Sequence, residues 1–143
     1  MSVHIDCSEL TIAPERTRKM FTPQEATRSL VLVRDIIADV MVEHANLIEQ
    51  QEVVEAAQNG ARTGQVRAAR DSMLESVRRL RNCMMEMDLI GAELLDWSLG
   101  VVEFPCVVNG REVRLCWQPG QQTVGYWHEV GEDCGRRRRI DWT

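Results

Sequence analysis

The sequence predicts an α+β fold: a long antiparallel helical hairpin of coiled-coil-like character, followed by a small three-stranded antiparallel β-meander. Three observations lead there. Apolar residues recur in steps of three and four through two long blocks, the period falls to two after Gly100, and Asn109-Gly110 stands in the middle of the alternating part.

The first helix has a clear start in "FTPQEA". Thr22 suits the N-cap, Pro23 the first helical position, and Glu25 completes a capping box with Thr22. A seam then runs through Leu30, Val33, Ile37, Val40, His44, Leu47, Gln51 and Val54, apolar except for two polar members. Polar seam residues commonly set register or oligomeric state, which is the expected role of His44 and Gln51. "QNGARTG" breaks the helix, with Gly60 suited to the left-handed position after it.

A second seam passes through Met73, Val77, Leu80, Met84, Met87, Gly91 and Leu94 and is expected to end near Gly100. Two helices of similar length joined by a short polar turn form an antiparallel hairpin. Charge placement agrees. Folding back about residues 61–62 brings Glu49, Glu52 and Glu55 toward Arg67, Arg70 and Arg78, and Arg28 and Arg34 toward Glu86, Asp88, Glu93 and Asp96. Such exposed pairs contribute only about 0.3–0.5 kcal/mol each, so they select orientation more than they stabilise. Val31, Ile36, Met41 and Ile48, with Met85, Leu89, Ile90 and Leu95, lie off the two seams. This surplus apolar stripe needs cover, from the sheet at one end and a second copy of the hairpin at the other.

After Gly100, "VVEFPCVV" and "REVRLCWQ" flank Asn109-Gly110, both of whose residues tolerate the positive φ of a two-residue hairpin turn. That turn pairs Val108 with Arg111, Cys106 with Val113, Phe104 with Leu115, and Val102 with Trp117. If Pro119–Gln122 form a four-residue loop before a third strand, "TVGYWHE", Leu115 meets Tyr126, Val113 meets His128, and Cys116 meets Gly125. The core face then holds Val102, Phe104, Cys106, Val113, Leu115, Trp117, Val124, Tyr126 and His128. The polar face holds Glu103, Pro105, Glu112, Arg114, Cys116, Trp127 and Glu129. In this register His128 is a hydrogen-bonded core residue; a slip of one residue would exchange it with Trp127. The chain thus divides into a flexible leader (1–20), the hairpin (21–100), the meander packed on the helices (101–130) and an arginine-rich tail (131–143).

"FTPQEA" at the helix start and "GVVEFPCVVNGREVRLCWQPGQQTVGYWHEV" resemble the bacterial family called domain of unknown function 2203. The resemblance runs from Phe21 to about Ile140. It is most specific at "DWSLGVVEFP", "LCW" and "YWHE", with Gly135 to Arg137 also familial in look. The tail "GEDCGRRRR" is richer in cysteine than the family pattern, and the leader is additional. The resemblance supports the architecture and implies no activity.

Composition narrows the function classes. The net charge of −5 argues against a general binder of nucleic acid or anionic membrane, which needs a basic surface. No stretch approaches the roughly 18 apolar residues of a membrane span, and the first twenty residues lack the pattern of a signal peptide. The expected location is cytoplasmic. Cys7, Cys83, Cys106, Cys116 and Cys134 are widely and irregularly spaced, without a C-x-x-C, and read as reduced thiols.

The residues able to carry chemistry cluster in the second half. Arg114, Cys116, Trp127, His128 and Glu129 are the candidate ligand-binding residues, and Arg136, Arg137, Arg138 and Arg139 the candidate anion-binding ones. The derived register separates Cys116 and His128 onto opposite faces, and leaves a strand between Cys106 and His128. No metal set, cofactor or catalytic residue is therefore expected. Glu103, Glu112 and Glu129 with Arg114 read as a cross-strand ion-pair patch.

The favoured reading is a non-enzymatic cytoplasmic interaction or scaffold module, homodimeric through the hairpin, with Trp127 on the sheet facing an unidentified protein partner. One alternative is a small-molecule- or metal-dependent enzyme with its site at the sheet–helix junction. A second is an RNA- or anion-binding adaptor using Arg136–Arg139.

Overall fold

A computed structural model describes residues 19–57 and 63–141. Helix α1 spans Pro23–Ala57 and α2 spans Thr63–Ile90; then follow β1 (Glu93–Asp96), β2 (Val101–Val108), β3 (Arg111–Trp117), β4 (Tyr126–Glu129), a 3-10 turn (Cys134–Arg136) and β5 (Arg138–Arg139). The strands form one antiparallel sheet in the order β1-β2-β3-β4-β5. Two helices followed by an antiparallel sheet make the α+β class expected, with five strands where three were predicted. No helix among the described residues is long and apolar enough to cross a membrane. The expectations for Cys7, for most of the leader and for Gly60 in the interhelical turn lie outside the described residues.

The α1 start forms as its sequence dictates. The Glu25 amide donates to the Thr22 hydroxyl (3.1 Å), and the Thr22 amide donates to the Glu25 carboxylate (2.9 Å). The backbone bond from Thr22 is the main reason the Glu25 carboxyl lies below its ordinary pKa. Just ahead of the cap, the Phe21 amide donates to the Pro105 carbonyl (2.7 Å), and its ring meets Phe104 edge-on at 5.2 Å. The helix entry is thereby stapled to β2.

The helices run antiparallel. Glu43 of α1 pairs with Arg79 of α2 (3.1 Å), while the end of α2 at Gly91 lies beside Lys19 and Phe21. Arg78 turns to Glu75 in its own helix, and Arg34 leaves the hairpin to reach the Gln122 carbonyl in the segment between β3 and β4. The α2 seam is Ala69, Met73, Ser76, Leu80, Cys83 and Met87, so Ser76 and Cys83 stand inside where Val77 and Met84 were expected. Val77 is exposed. On α1, His44 lies beside Trp97 (ring centroids 6.1 Å), and Gln51 is exposed and bonds Glu55.

Helix α2 stops ten residues before the expected Gly100. Gly91 takes φ +96°, and both its amide and that of Ala92 close on the Met87 carbonyl (2.9 and 3.3 Å), a left-handed glycine stop. The residues beyond, read as more helix, become β1. The Asp96 carboxylate then accepts from the Ser98 and Leu99 amides (2.8 Å each) and turns the chain into β2.

The core lies between α1, α2 and one face of the sheet. Leu30, Val33, Ile37 and Val40 meet Val102, Phe104, Cys106, Val113, Leu115 and Trp117 there. The β2–β3 register is the one derived from Asn109-Gly110, from Val108↔Arg111 to Val102↔Trp117; Asn109 and Gly110 both take positive φ.

The β3–β4 register differs by one residue: Leu115 pairs with Trp127, Arg114 with His128, and Cys116 with Tyr126. Tertiary hydrogen bonds fix the intervening segment. The Trp117 indole donates to the Gln121 carbonyl (2.9 Å), Arg34 donates to the Gln122 carbonyl (2.6 Å), and the Val124 amide donates to the Thr27 hydroxyl (3.0 Å). Trp127 consequently moves to the helix side and packs on the core, while Tyr126 and His128 move to the other face.

Gly100 sits where α1, the β1–β2 turn and the next loop converge. Its φ is +73°, and an added Cβ would lie 2.7 Å from Ile37 Cγ2 and 3.0 Å from both Met41 Sδ and Pro119 Cγ. Replacing Gly100 by alanine should lower stability by about 2–4 kcal/mol, from unfavourable φ and overpacking together. Urea unfolding monitored by tryptophan fluorescence would measure it; an unchanged midpoint would contradict this packing.

Candidate functional site: a buried Cys-His-Cys-Glu cluster on the outer sheet face

The face of the sheet turned away from the helices carries Glu103, Arg114, Cys116, Tyr126 and His128. Glu103 lies directly across from Cys116, and Cys116 directly across from Tyr126. His128 lies across from Arg114, one diagonal step from Cys116. Over this face folds the segment after β4. The Asp133 side chain accepts from the Gly135 amide (2.9 Å) to start the 3-10 turn, which brings Cys134 down onto Cys116. Strand β5 then pairs with β4 and closes the edge.

The resulting cluster is tight. Cys116 Sγ and Cys134 Sγ are 2.7 Å apart, and Cys134 Sγ is 3.7 Å from His128 Nε2. His128 Nε2 is 2.5 Å from Glu103 Oε2, and His128 Nδ1 is 2.9 Å from the Glu129 carbonyl oxygen. His128 is 0% exposed, Cys116 4% and Glu103 7%; Cys134 is partly exposed. The three ligand atoms of Cys116, His128 and Cys134 all lie within 4.8 Å of one another.

Hydrogen-bond chemistry assigns the imidazole. A carbonyl oxygen can only accept, so Nδ1 carries a proton and donates it to Glu129. In the neutral ring Nε2 is then a bare lone pair. A carboxylate oxygen at 2.5 Å cannot face that lone pair bare, and at this separation only a proton fits between them, so the two groups share one; a cation would have to part them.

Burial dominates the acidities. It raises the Glu103 carboxyl above its ordinary pKa, opposed by the charge of His128 and its hydrogen bond. Burial also raises the Cys116 thiol strongly, reinforced by its contact with Cys134, and raises the Cys134 thiol; Arg137 pulls both the other way. Without a cation both sulfurs are therefore protonated at neutral pH.

Of the residues singled out in the sequence, Cys116 and His128 come together, correcting the expectation that they lie on opposite faces. The one-residue register difference is the cause. The same difference removes Trp127 and Glu129 from this face. Trp127 lines an apolar cleft of about 280 Å³ with Cys106, Leu115 and Ile140, and Glu129 pairs with Arg111 (2.8 Å). Arg114 is ion-paired with Glu112 (2.9 Å), so the expected carboxylate patch separates into pairs, with Glu103 bound to His128. Within the arginine run, Arg137 stacks over Tyr126 and Arg138 over Trp127, each 5.0 Å from the ring centroid, while Arg138 and Arg139 form β5. Arg136 closes the 3-10 turn.

Glu103 and Cys134 are the members that sequence reasoning left out of the site. Glu103 is two strands from His128, a backbone gap near 10 Å, yet a glutamate and an imidazole both lean over β3 to close it. Cys134 carries no short-range ligand spacing. Its only signal is the turn around Gly131 (φ +92°), which returns the chain toward the sheet.

The family model described as "Uncharacterized conserved protein (DUF2203)" matches residues 19–140. The chain belongs to this family. The matched span contains Glu103, Cys116, His128 and Cys134. Neither the curated proteins nor the solved structures gave a match.

Removing one member of the Glu103–His128 pair strands the other in the interior. His128→Ala should cost about 3–5 kcal/mol, and Glu103→Ala/His128→Ala clearly less than the sum of the single changes. A double-mutant cycle in urea measures the coupling. Strict additivity would mean that the two groups do not compensate each other.

Proposed function

We propose that this protein is a metal-binding module in which Cys116 Sγ, Cys134 Sγ and His128 Nε2 hold a zinc-class divalent cation, with Glu103 as the fourth ligand. The observation that carries this reading is the convergence of the Cys116, His128 and Cys134 ligand atoms within 4.8 Å of one another, with Nδ1 of the buried histidine committed to the Glu129 carbonyl. That is the arrangement of a ligating histidine, whose second nitrogen donates to a carbonyl that fixes its tautomer and aim. Two sulfurs, one imidazole and one carboxylate suit zinc, which is commonly tetrahedral with N and S ligands. At metal–ligand lengths of about 2.0–2.3 Å the edges of such a tetrahedron are roughly 3.3–3.8 Å. The 3.7 Å from Cys134 to His128 falls in this range, while the sulfurs, at 2.7 Å, and the Glu103–His128 pair, at 2.5 Å, would both open as the cation replaces their protons.

Four protein ligands leave no open position, so the role that fits is structural and non-enzymatic. The cation would bind the Cys134 turn onto β3 and β4 and hold β5 against the sheet edge. A reducing cytoplasm, the location proposed, keeps both thiols available for it.

Purified full-length protein reconstituted with zinc and desalted should retain about one zinc per chain, and Cys116→Ser, Cys134→Ser and His128→Ala should each lose most of it. Binding should expel about three protons, one from each raised thiol and the one shared by Glu103 and His128, so apparent affinity rises with pH. Elemental analysis and titration in a weakly buffered indicator read these quantities. Zinc retained equally by all three variants would overturn the assignment.

A second reading, self-association through the hairpin in the manner of a scaffold, is favoured by the apolar residues left uncovered on both helices. Leu89 is 88% exposed, Val31 73% and Leu74 65%. Light scattering should give a dimer mass that falls toward monomer in Val31→Glu/Leu89→Glu; a monomer at high concentration would remove this reading.

A further inference from the structure

We infer that Cys116 and Cys134 form a peroxide-sensitive dithiol whose closure to a disulfide empties the metal site. This rests on the metal reading above, because the same two sulfurs serve as ligands and as redox partners.

Four observations carry it. The sulfurs are 2.7 Å apart, so the approach to a bonded separation of 2.03–2.05 Å is short. Their exposure is unequal: Cys134 is partly exposed and Cys116 buried, which gives one sulfur for the oxidant and a protected one to resolve the product. Cys134 stands on a three-residue 3-10 turn held by Asp133 and by the Arg137 bond to the Cys134 carbonyl, so its backbone is free of ladder constraints. The remaining described thiols do not compete, since Cys83 and Cys106 belong to the core between helices and sheet.

The metal itself supplies reactivity. A free cysteine thiol is mostly protonated at neutral pH, whereas a coordinated sulfur is a thiolate, the nucleophilic form. The co-reactant is hydrogen peroxide or an alkyl hydroperoxide. With hydrogen peroxide, the Cys134 thiolate attacks one oxygen, the O–O bond breaks, and the departing hydroxide takes a proton to become water. Cys134 is left as a sulfenic acid. The Cys116 thiolate then attacks the Cys134 sulfur, forming the S–S bond and breaking S–O; the second hydroxide takes a proton and leaves as water. Two thiolates lose two electrons, the peroxide gains two, and the cation leaves as a divalent ion with its oxidation state unchanged. His128 and Glu103, having lost two sulfur partners, take back a shared proton.

The test uses the zinc-loaded full chain and a metal-free sample treated in parallel with hydrogen peroxide at equal concentration. Zinc release is followed with a colorimetric chelator, and cross-links by peptide mass mapping without reductant. The expected result is about one zinc released per Cys116–Cys134 cross-link, reversal by dithiothreitol plus zinc, and a rate in the metal-free sample at least tenfold lower. Cys106→Ser, on the opposite face, should behave as wild type, which controls for simple loss of folding. Zinc bound but released without a cross-link, a cross-link through Cys83 or Cys106, or Cys134 driven to sulfinic acid with Cys116 still reduced would each overturn this inference while leaving the metal reading intact. A chain that never retains zinc overturns both.

Discussion

The outer-face cluster depends on one constraint, the anchoring of the segment between β3 and β4 to α1. Arg34 donates to the Gln122 carbonyl, Thr27 accepts from the Val124 amide, and Trp117 donates to the Gln121 carbonyl. These bonds set where β4 begins, and in a strand that choice also settles which side each residue faces. With β4 held in this register, the large indole of Trp127 goes into the core and His128 goes to the side where Glu103 and Cys116 already stand. One residue the other way would bury an unpartnered imidazole beneath the helices and leave Glu103 without its imidazole partner. Satisfaction of buried polar groups therefore favours the same register as burial of the indole.

The helical hairpin and the sheet are thus linked through specific residues as well as through the core. Phe21 staples the entry of α1 to the Pro105 carbonyl, and Gly100 permits the turn between β1 and β2 to press against Ile37 and Met41. Pro105 has no amide to donate. It is tolerated in β2 because β1 is short and ends its pairing at Glu103, so the strand edge beyond is met by Phe21.

Legibility in the sequence follows the range of the physics involved. The capping box at Thr22 and the hairpin at Asn109-Gly110 depend on neighbours a few residues apart, and both were readable, including every pair from Val108↔Arg111 to Val102↔Trp117. The end of α2 was legible in principle but hidden by coincidence. Gly91 falls on the apolar repeat, so it read as a seam residue when its left-handed conformation makes it the stop. The β3–β4 register was not legible, because bonds to residues about 90 positions earlier decide it. For the same reason the cluster stayed scattered: Glu103, Cys116, His128 and Cys134 come from three strands and a turn, with no local spacing to announce them.

The arginine run gains a definite physical role from this arrangement. Arg137 and Arg138 spend their planar faces on Tyr126 and Trp127, on opposite sides of the sheet, and Arg138 also reaches Glu132 (3.6 Å). Stacking of this kind fastens β5 to β4 where a two-residue ladder alone would hold weakly. It also places positive charge beside the acidic and thiol groups of the cluster, where Arg137 opposes the burial-driven rise in the pKa of both sulfurs. With the cation proposed above, a carboxylate and two thiolates would gather three negative charges in a poorly solvated place, of which one divalent ion would balance two. Arg137, stacked on Tyr126 on the same face, is the arginine placed to offset the remainder.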